Sequence, residues 1–259
     1  MGNILRRKMG TTKIEWCEKS WNPITGCSAI SEGCQHCYAK RMANRLQGRY
    51  GYPKDNPFAV TFHPDKLNEP LTWKKPRKVF VCSMGDLFHE DVPFEWIRDV
   101  FRIMMFSPSN RHTYLVLTKR PKRLMEWMRI NYDPETMHHF KEEHPNIWLG
   151  VTAENQARAD ERIPILLSIP AAVRFVSVEP MLGPVDLWGA RFENPQGGKT
   201  GAVTSWGGGL DWVIAGPETG PKAREFNMSW MCDLWSTCKA ADVPFFDKRD
   251  DYVEREWPK

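Results

Sequence analysis

No run in the 259 residues approaches the ~18 consecutive apolar side chains that a membrane span needs. The first residues, Met1 to Lys13, lack the apolar core of a secretory signal. Both absences lead to the expectation of a cytoplasmic protein without a membrane partner. Net charge is nearly absent as well. The 36 basic residues against 32 acidic ones leave +4, so the whole chain is not the uniformly basic body that wraps nucleic acid, although a local basic cleft stays open. There is no internal repeat of solenoid or propeller period and no low-complexity block, which excludes an array. With 41% hydrophobic and 26% charged residues, disorder is excluded too, and the chain is long enough for one elaborated domain over 1–259.

What recurs is a short apolar, β-branched run, then a polar cluster, then a segment of helical spacing. The runs are Val79 to Cys82, Thr113 to Leu117, Ile147 to Val151, Val173 to Val178, Trp212 to Ala215 and Val243 to Phe246, with a further strand leading from Trp21 into Gly26. Each is apolar enough to be covered on both faces. Pro93 to Phe106, Pro121 to Met128, Ala157 to Leu167 and Ser229 to Ala241 read as helices, the first with Phe94, Ile97, Val100, Phe101 and Met104 on one face. Six or seven such units predict an α/β fold, a complete or partial parallel β/α (TIM-like) barrel, with a doubly wound open sheet as the alternative. The stretches 131–146, with three His, and 192–209, with six Gly, read as surface insertions.

In parallel α/β folds chemistry collects where loops converge at the C-terminal ends of the strands. The predicted strand ends carry Ser83, Met84, Gly85 and Asp86; Thr118, Lys119 and Arg120; Thr152, Glu154 and Asn155; Ser177 and Glu179; Gly216, Glu218 and Thr219; and Asp247 and Lys248. Polar residues after every buried run predict a ring around one site.

Cysteine is sparse and odd in number. Of seven, Cys27, Cys34 and Cys37 crowd into eleven residues, while Cys17, Cys82, Cys232 and Cys238 are scattered and read as small core residues. In a reducing compartment such a cluster points to metal rather than disulfides. Structural zinc takes four ligands, whereas an iron-sulfur cubane held by three thiolates leaves one iron open. The competing account is a zinc knuckle completed by His36, His63 or His89. That would make the chain a zinc-dependent nucleic-acid-binding module without catalysis. The 12 Trp, with Lys74, Lys75, Arg77 and Lys78 beside Trp73, also invite a nucleic-acid reading, but Trp more often packs in a core.

The stretches Ile14-Glu15-Trp16, Trp21-Asn22-Pro23-Ile24-Thr25-Gly26-Cys27 and Gly33-Cys34-Gln35-His36-Cys37-Tyr38-Ala39 resemble the phage Gp37/Gp68 family, a domain of unknown function related to radical S-adenosylmethionine (SAM) enzymes. The resemblance continues through Ser83-Met84-Gly85-Asp86-Leu87-Phe88-His89, Leu117-Thr118-Lys119-Arg120-Pro121, Trp148-Leu149-Gly150-Val151-Thr152-Ala153-Glu154-Asn155, Ser177-Val178-Glu179-Pro180 and Phe245-Phe246, nearly the whole chain. Cys17, Pro217 and Asp247 depart from the pattern. So does the x6 gap between the first two cysteines, measured against the x3 of the wider superfamily; three extra residues can bulge outward without moving the thiolates.

The resemblance implies a [4Fe-4S] cluster on Cys27, Cys34 and Cys37, with SAM chelated at the open iron and cleaved reductively to a 5'-deoxyadenosyl radical. It further implies a reducing partner such as flavodoxin or ferredoxin. A distant likeness to spore photoproduct lyase extends the implication to a nucleic acid or nucleotide as substrate. In that frame His36 packs against the adenine. Ser83, Met84 and Asp86 form the turn that receives the SAM ammonium, although an Asp after a strand also serves as a helix cap. Thr118, Thr152, Glu154, Asn155 and Ser177 are candidates for the ribose hydroxyls and the methionine carboxylate. Glu179 and Glu218 remain for substrate or proton handling, and Lys119 and Arg120 for the methionine carboxylate or an anionic substrate.

Overall fold

The computed structural model describes residues 12, 14–106, 111–188, 192–193, 199–203, 209–249 and 255–258. In chain order the elements are β1 (Lys19–Trp21), β2 (Ile24–Thr25), α1 (Tyr38–Arg45), β3 (Thr61–Phe62), α2 (Pro64–Leu67), β4 (Lys78–Val81), α3 (Phe94–Phe106), β5 (Thr113–Thr118), α4 (Pro121–Asn131), α5 (Pro134–Met137), α6 (Phe140–Glu143), β6 (Ile147–Thr152), α7 (Gln156–Leu167), β7 (Val173–Val178), β8 (Phe192–Glu193), β9 (Lys199–Thr200), β10 (Trp212–Ala215), α8 (Met228–Ala240) and β11 (Phe245–Asp247).

Seven strands make one sheet in the order β1-β4-β5-β6-β7-β10-β11, every pairing parallel. Sheet order follows chain order without reversal. A doubly wound sheet has a switch point where that order reverses, so the alternative falls. The sheet curls into a half-barrel, the partial form of the predicted β/α barrel.

Alternation along each strand divides the apolar residues between two faces. Val79, Val81, Tyr114, Val116, Leu149, Val151, Val176, Val178, Val213 and Ala215 pack with buried residues of α3, α4, α7 and α8, such as Phe101, Trp127, Ile163 and Leu234. Leu115, Trp148, Phe175, Trp212, Ile214 and Phe246 form a second cluster on the opposite, inner face, closed by Trp16 and flanked by Phe80, Leu117 and Trp257. Trp212 stands within 6.5 Å, centroid to centroid, of Trp16, Trp148, Phe175 and Phe246. Its indole N–H donates to Glu256 O at 2.8 Å. This aromatic plug fills the half-barrel where a closed barrel would use opposing strands. At Gly150 a Cβ would meet the Phe175 ring at 2.5 Å, so the missing side chain makes room for it.

The first strand differs from expectation. It occupies Lys19–Trp21 and ends there, while Ile24–Thr25 pairs antiparallel with Thr61–Phe62. Pro23 supplies no ladder N–H, and the chain leaves the sheet at that point. Within 131–146 lie two short helices, and Phe140, the first residue of the second, is fully buried against the core, edge-on to Tyr132 at 5.4 Å. Within 192–209 the short strands β8 and β9 pair antiparallel, and 194–198 and 204–208 lie outside the described residues. No helix among the described residues is long and apolar enough to cross a membrane.

Candidate functional site

The cysteine loop is fastened to the end of β4 through two glycines. Gly26 has φ +91°, in the left-handed region that side chains resist, and a Cβ there would run into the Ala59 carbonyl. It lies beside Gly85 in a parallel bridge and donates to Met84 O at 3.0 Å. A Cβ on Gly85 would stand 2.7 Å from Gly26 O. Only two bare backbones approach this closely, and the approach delivers Cys27 to the strand ends.

The six-residue spacer exposes Ser28, Ala29 and Ile30, as extra residues bulging outward should. Two of its serines turn back. Arg120 Nη2 donates to Ser28 O at 3.2 Å and to its Oγ at 3.1 Å, and Ser31 Oγ donates to Glu154 Oε1. Gly33 rides so close over the Glu154 carboxylate that a Cβ would collide with it. A tight turn at Glu32–Cys34 then leads to Cys37, which opens α1.

A cavity of ≈ 260 Å³ opens above Phe80 and Leu117 at the C-terminal ends of the strands. Cys27, Cys34 and Cys37 all line it, each a free thiol. His36, Ser83, Asp86, Thr118, Lys119, Arg120, Thr152, Glu179 and Glu218 share its wall. Met84, Glu154, Asn155 and Ser177 are not among its described lining residues. Met84 acts through its backbone, its N–H donating to Asn22 Oδ1 at 2.9 Å, where Ser83 Oγ also donates at 3.2 Å. Asn155 caps α7, its Oδ1 accepting from the Arg158 N–H at 3.1 Å. Ser177 is buried in β7. Of the strand-end polar residues some line the cavity and others do not: a residue just past a strand can cap a helix or brace a loop as readily as line the cavity.

Asp86 lines the cavity and is also braced by its own chain. Its Oδ1 accepts from the Phe88 N–H at 3.0 Å and from Thr118 Oγ1 at 2.7 Å; its Oδ2 accepts from the Lys119 N–H at 3.1 Å and from Arg120 Nη1 at 3.3 Å. A carboxylate engaged on both oxygens by its own chain locks the β4 loop to the β5 loop. Thr118 is occupied likewise, accepting from the Arg120 N–H at 2.9 Å.

Two cations stand against the thiols. Arg120 is buried, holds both Glu90 oxygens through Nε at 2.9 and 2.8 Å, and places Nη1 3.4 Å from Cys27 Sγ. Lys119 Nζ pairs with Glu154 and lies 3.7 Å from Cys34 Sγ. Glu154 is fully buried and is held from behind by Arg162 Nη1 at 2.9 Å, which also donates to Thr152 O at 2.8 Å. Burial raises the Glu154 carboxyl, but Lys119 and Arg162 outweigh it and hold the group below its usual range. Burial, with Asp86 adding to it, pushes the Cys27 thiol up to about 12 against the opposing pull of Arg120. At Cys34 burial acts upward too, yet Lys119 and hydrogen bonds from Ile30 and Ser31 bring the thiol below its ordinary value.

On the far wall His36 Nδ1 lies 3.0 Å from Glu218 Oε2. Arg224 donates to the same carboxylate through Nε and its backbone N–H, both at 2.9 Å, and this hydrogen bonding, against burial, draws Glu218 down to about 2. Glu179 pairs with Lys248. The histidines that a zinc knuckle would recruit are engaged. His63 Nε2 lies 2.8 Å from Thr25 Oγ1. His89 Nδ1 accepts from the Asp91 N–H at 3.0 Å, so its Nε2 carries the hydrogen directed at Ser28 Oγ, 2.7 Å away. Among the described residues no three His, Cys, Asp or Glu side chains are gathered tightly enough to hold a single metal ion.

Sequence reasoning missed Ser31, Glu90, Arg162 and Arg224. Ser31 belongs to the spacer and Glu90 follows the His89 motif, so both could have been flagged by neighbourhood. Arg162 and Arg224 lie eight and six residues beyond Glu154 and Glu218, at spacings that match no motif.

A family model described as "Protein of unknown function (DUF5131)" matches residues 11–256. The chain belongs to the DUF5131 family. No curated protein and no solved structure matches it. The match spans every strand of the half-barrel and all three clustered cysteines, so sheet and cavity together form the DUF5131 unit.

Proposed function

We propose that this DUF5131 chain is a radical SAM enzyme akin to the phage Gp37/Gp68 proteins, holding a [4Fe-4S] cluster on Cys27, Cys34 and Cys37. The observation that carries the reading is the donor set: three free thiols face one cavity at the C-terminal end of a parallel half-barrel, with cations beside two of them and the neighbouring histidines engaged elsewhere. Three soft thiolates suit a cluster with one open iron, and a cluster spreads its thiolates more widely than a single zinc ion does. When bound, the cluster and SAM supply a 5'-deoxyadenosyl radical through one-electron cleavage of the sulfonium C–S bond, the electron coming from a donor such as flavodoxin or ferredoxin.

The chain's own residues do the rest. Lys119 sets positive charge against Cys34 and favours its thiolate form, while Arg120 opposes the burial that raises Cys27. Asp86 and Glu90 keep Arg120 in place, as Glu154 keeps Lys119. Phe80 and Leu117 give the cavity an apolar floor that limits water and stray hydrogen donors. Thr152, Ser83 and the Glu218-bound ring of His36 present polar edges to a ligand lying across that floor, and Glu179 and Glu218 line the wall where protons would be handled.

Anaerobic reconstitution is the test. The expected result is roughly four irons per chain with a broad absorbance near ~400 nm, SAM binding, and release of 5'-deoxyadenosine under dithionite. Cys34→Ala should lose the iron and Cys17→Ala should keep it. Stoichiometric zinc with no iron, or a full cluster on the Cys34→Ala protein, would overturn the assignment.

A further inference from the structure

The formal charge of the chain is +4, yet residues 33–54 contain Lys40, Arg41, Arg45, Arg49 and Lys54 and no acid, so this stretch carries +5 and the remainder −1. It begins at the cavity. Cys37 opens α1, and Tyr38, the first residue of that helix, lines the cavity while 58% of its surface stays exposed. Ala39 and Ala43 bury the opposite face of α1, so Tyr38, Arg41 and Arg45, at i, i+3 and i+7, share the outer one. The Arg41 guanidinium crosses to the loop that follows β10, where a Cβ on Gly220 would meet it at 2.8 Å, next to the cavity residues Glu218 and Thr219.

Among the described residues these five cations have no acidic partner, whereas Lys119 in the cavity wall and Arg224 beside it each hold a carboxylate. Their contacts are to uncharged groups: Arg49 Nη2 donates to Arg45 O, Arg45 Nη1 to Met42 Sδ at 3.9 Å, and Arg41 lies 5.9 Å from the Tyr38 ring. Beyond the helix, Tyr50 adopts φ 54° with its side chain 74% exposed. A bulky residue in the left-handed region, displayed to solvent, adds nothing to the core. Lys74 and Lys75, the basic run that drew notice in the sequence, precede β4 and so lie at the opposite end of the sheet from the cavity, and the Trp73 ring is packed against His112 at 5.6 Å.

We infer that the outer face of α1 and the turn through Tyr50 bind single-stranded nucleic acid and deliver an unpaired base past Tyr38 into the cavity. Unneutralised cations spaced along a helix match a phosphate backbone, and exposed tyrosine rings give unpaired bases a stacking surface. The cavity lies at the C-terminal ends of the strands beside that surface, where a base reaches it only when out of the duplex stack, so a single strand or an extruded nucleotide is what fits. The inference deepens the radical SAM reading by naming its substrate class.

The test is fluorescence anisotropy with the full reconstituted chain and a labelled single-stranded DNA of mixed sequence, beside an RNA of the same sequence and anionic phosphatidylserine vesicles. Binding of a strand should weaken about tenfold or more in the Arg45→Glu/Arg49→Glu protein, and its dependence of log affinity on log salt should flatten by about 1 to 2. Tyr50→Ala should weaken binding with the salt slope unchanged, and Lys74→Glu/Lys75→Glu should bind as the parent does. Circular dichroism of each variant reports folding separately. No strand binding, unchanged binding in the Arg45→Glu/Arg49→Glu protein, or tighter binding to the vesicles would overturn the inference. Iron content and SAM cleavage are read on the same preparation: cleavage without strand binding sinks this inference alone, and strand binding without iron sinks the radical SAM reading alone.

Discussion

The two ends of the inner face of the half-barrel are built on opposite rules. Toward the middle and base, Trp16, Trp148, Phe175, Trp212 and Phe246 fill the concavity with rings, and stability there comes from apolar area and close packing. A few ångströms up the same strands, past Phe80 and Leu117, the side chains are Asp86, Lys119, Arg120, Glu154 and Glu218, each held by one or more charged partners. A ring in the plug tolerates a smaller ring. A charge at the rim depends on its partner being there, because taking one away leaves the other buried and unpaired.

Removing a plug residue should therefore give the largest loss of stability. Trp212→Ala is expected to cost about 3–5 kcal/mol in urea unfolding, and Trp212→Phe clearly less; a loss under ~1 kcal/mol for the alanine would mean that the plug is loosely packed. Next comes Glu154→Gln, which strands Lys119 and the buried Arg162. It should cost about 3 kcal/mol, and adding Lys119→Gln should recover part of that, so the pair is strongly non-additive in a double-mutant cycle. Additivity would mean that the rim is no more coupled than the plug.

A smaller effect is expected where the rim meets the cysteine loop. Gly26→Ala forces a side chain into a left-handed residue that touches Ala59, and about 1–3 kcal/mol should be lost. Bound iron should fall more steeply than stability does, since the strain acts on the residue next to Cys27. The smallest effect is titration of Glu218. Its carboxyl is drawn from 4.5 to about 2 by Arg224, so its contribution to folding is fully present above pH 4.5 and is lost as pH falls toward 2. Between pH 5 and pH 3 the parent should therefore lose more stability than Glu218→Gln, and parallel acid titrations of the two would expose the idea if it is wrong.

Much of the sheet was legible because six of its strands are apolar on both faces and stand out from their flanks; Val173–Val178 and Trp212–Ala215 were located without error. The first strand was displaced because Ile24–Thr25 carries the stronger local strand signal, whereas Lys19–Trp21, on the other side of Pro23, is the segment that joins the sheet. At the site, the three cysteines were legible from spacing alone. The four donors of its own chain around Asp86 were not legible, because a carboxylate after a strand has the same local sequence with or without them. The basic face of α1 went unnoticed because a whole-chain sum of +4 hides a segment of +5.

Local sequence by itself determined the strand-helix alternation, the clustering of Cys27, Cys34 and Cys37, and the absence of a membrane-length apolar run, since each depends on neighbours along the chain. Only the tertiary structure decided that the barrel stays half open, that rings rather than strands fill it, and which cations are neutralised. Those outcomes depend on which residues meet across the sheet. Lys119 reaches Glu154, and Arg120 reaches Cys27, only because seven parallel strands bring their loops to one end.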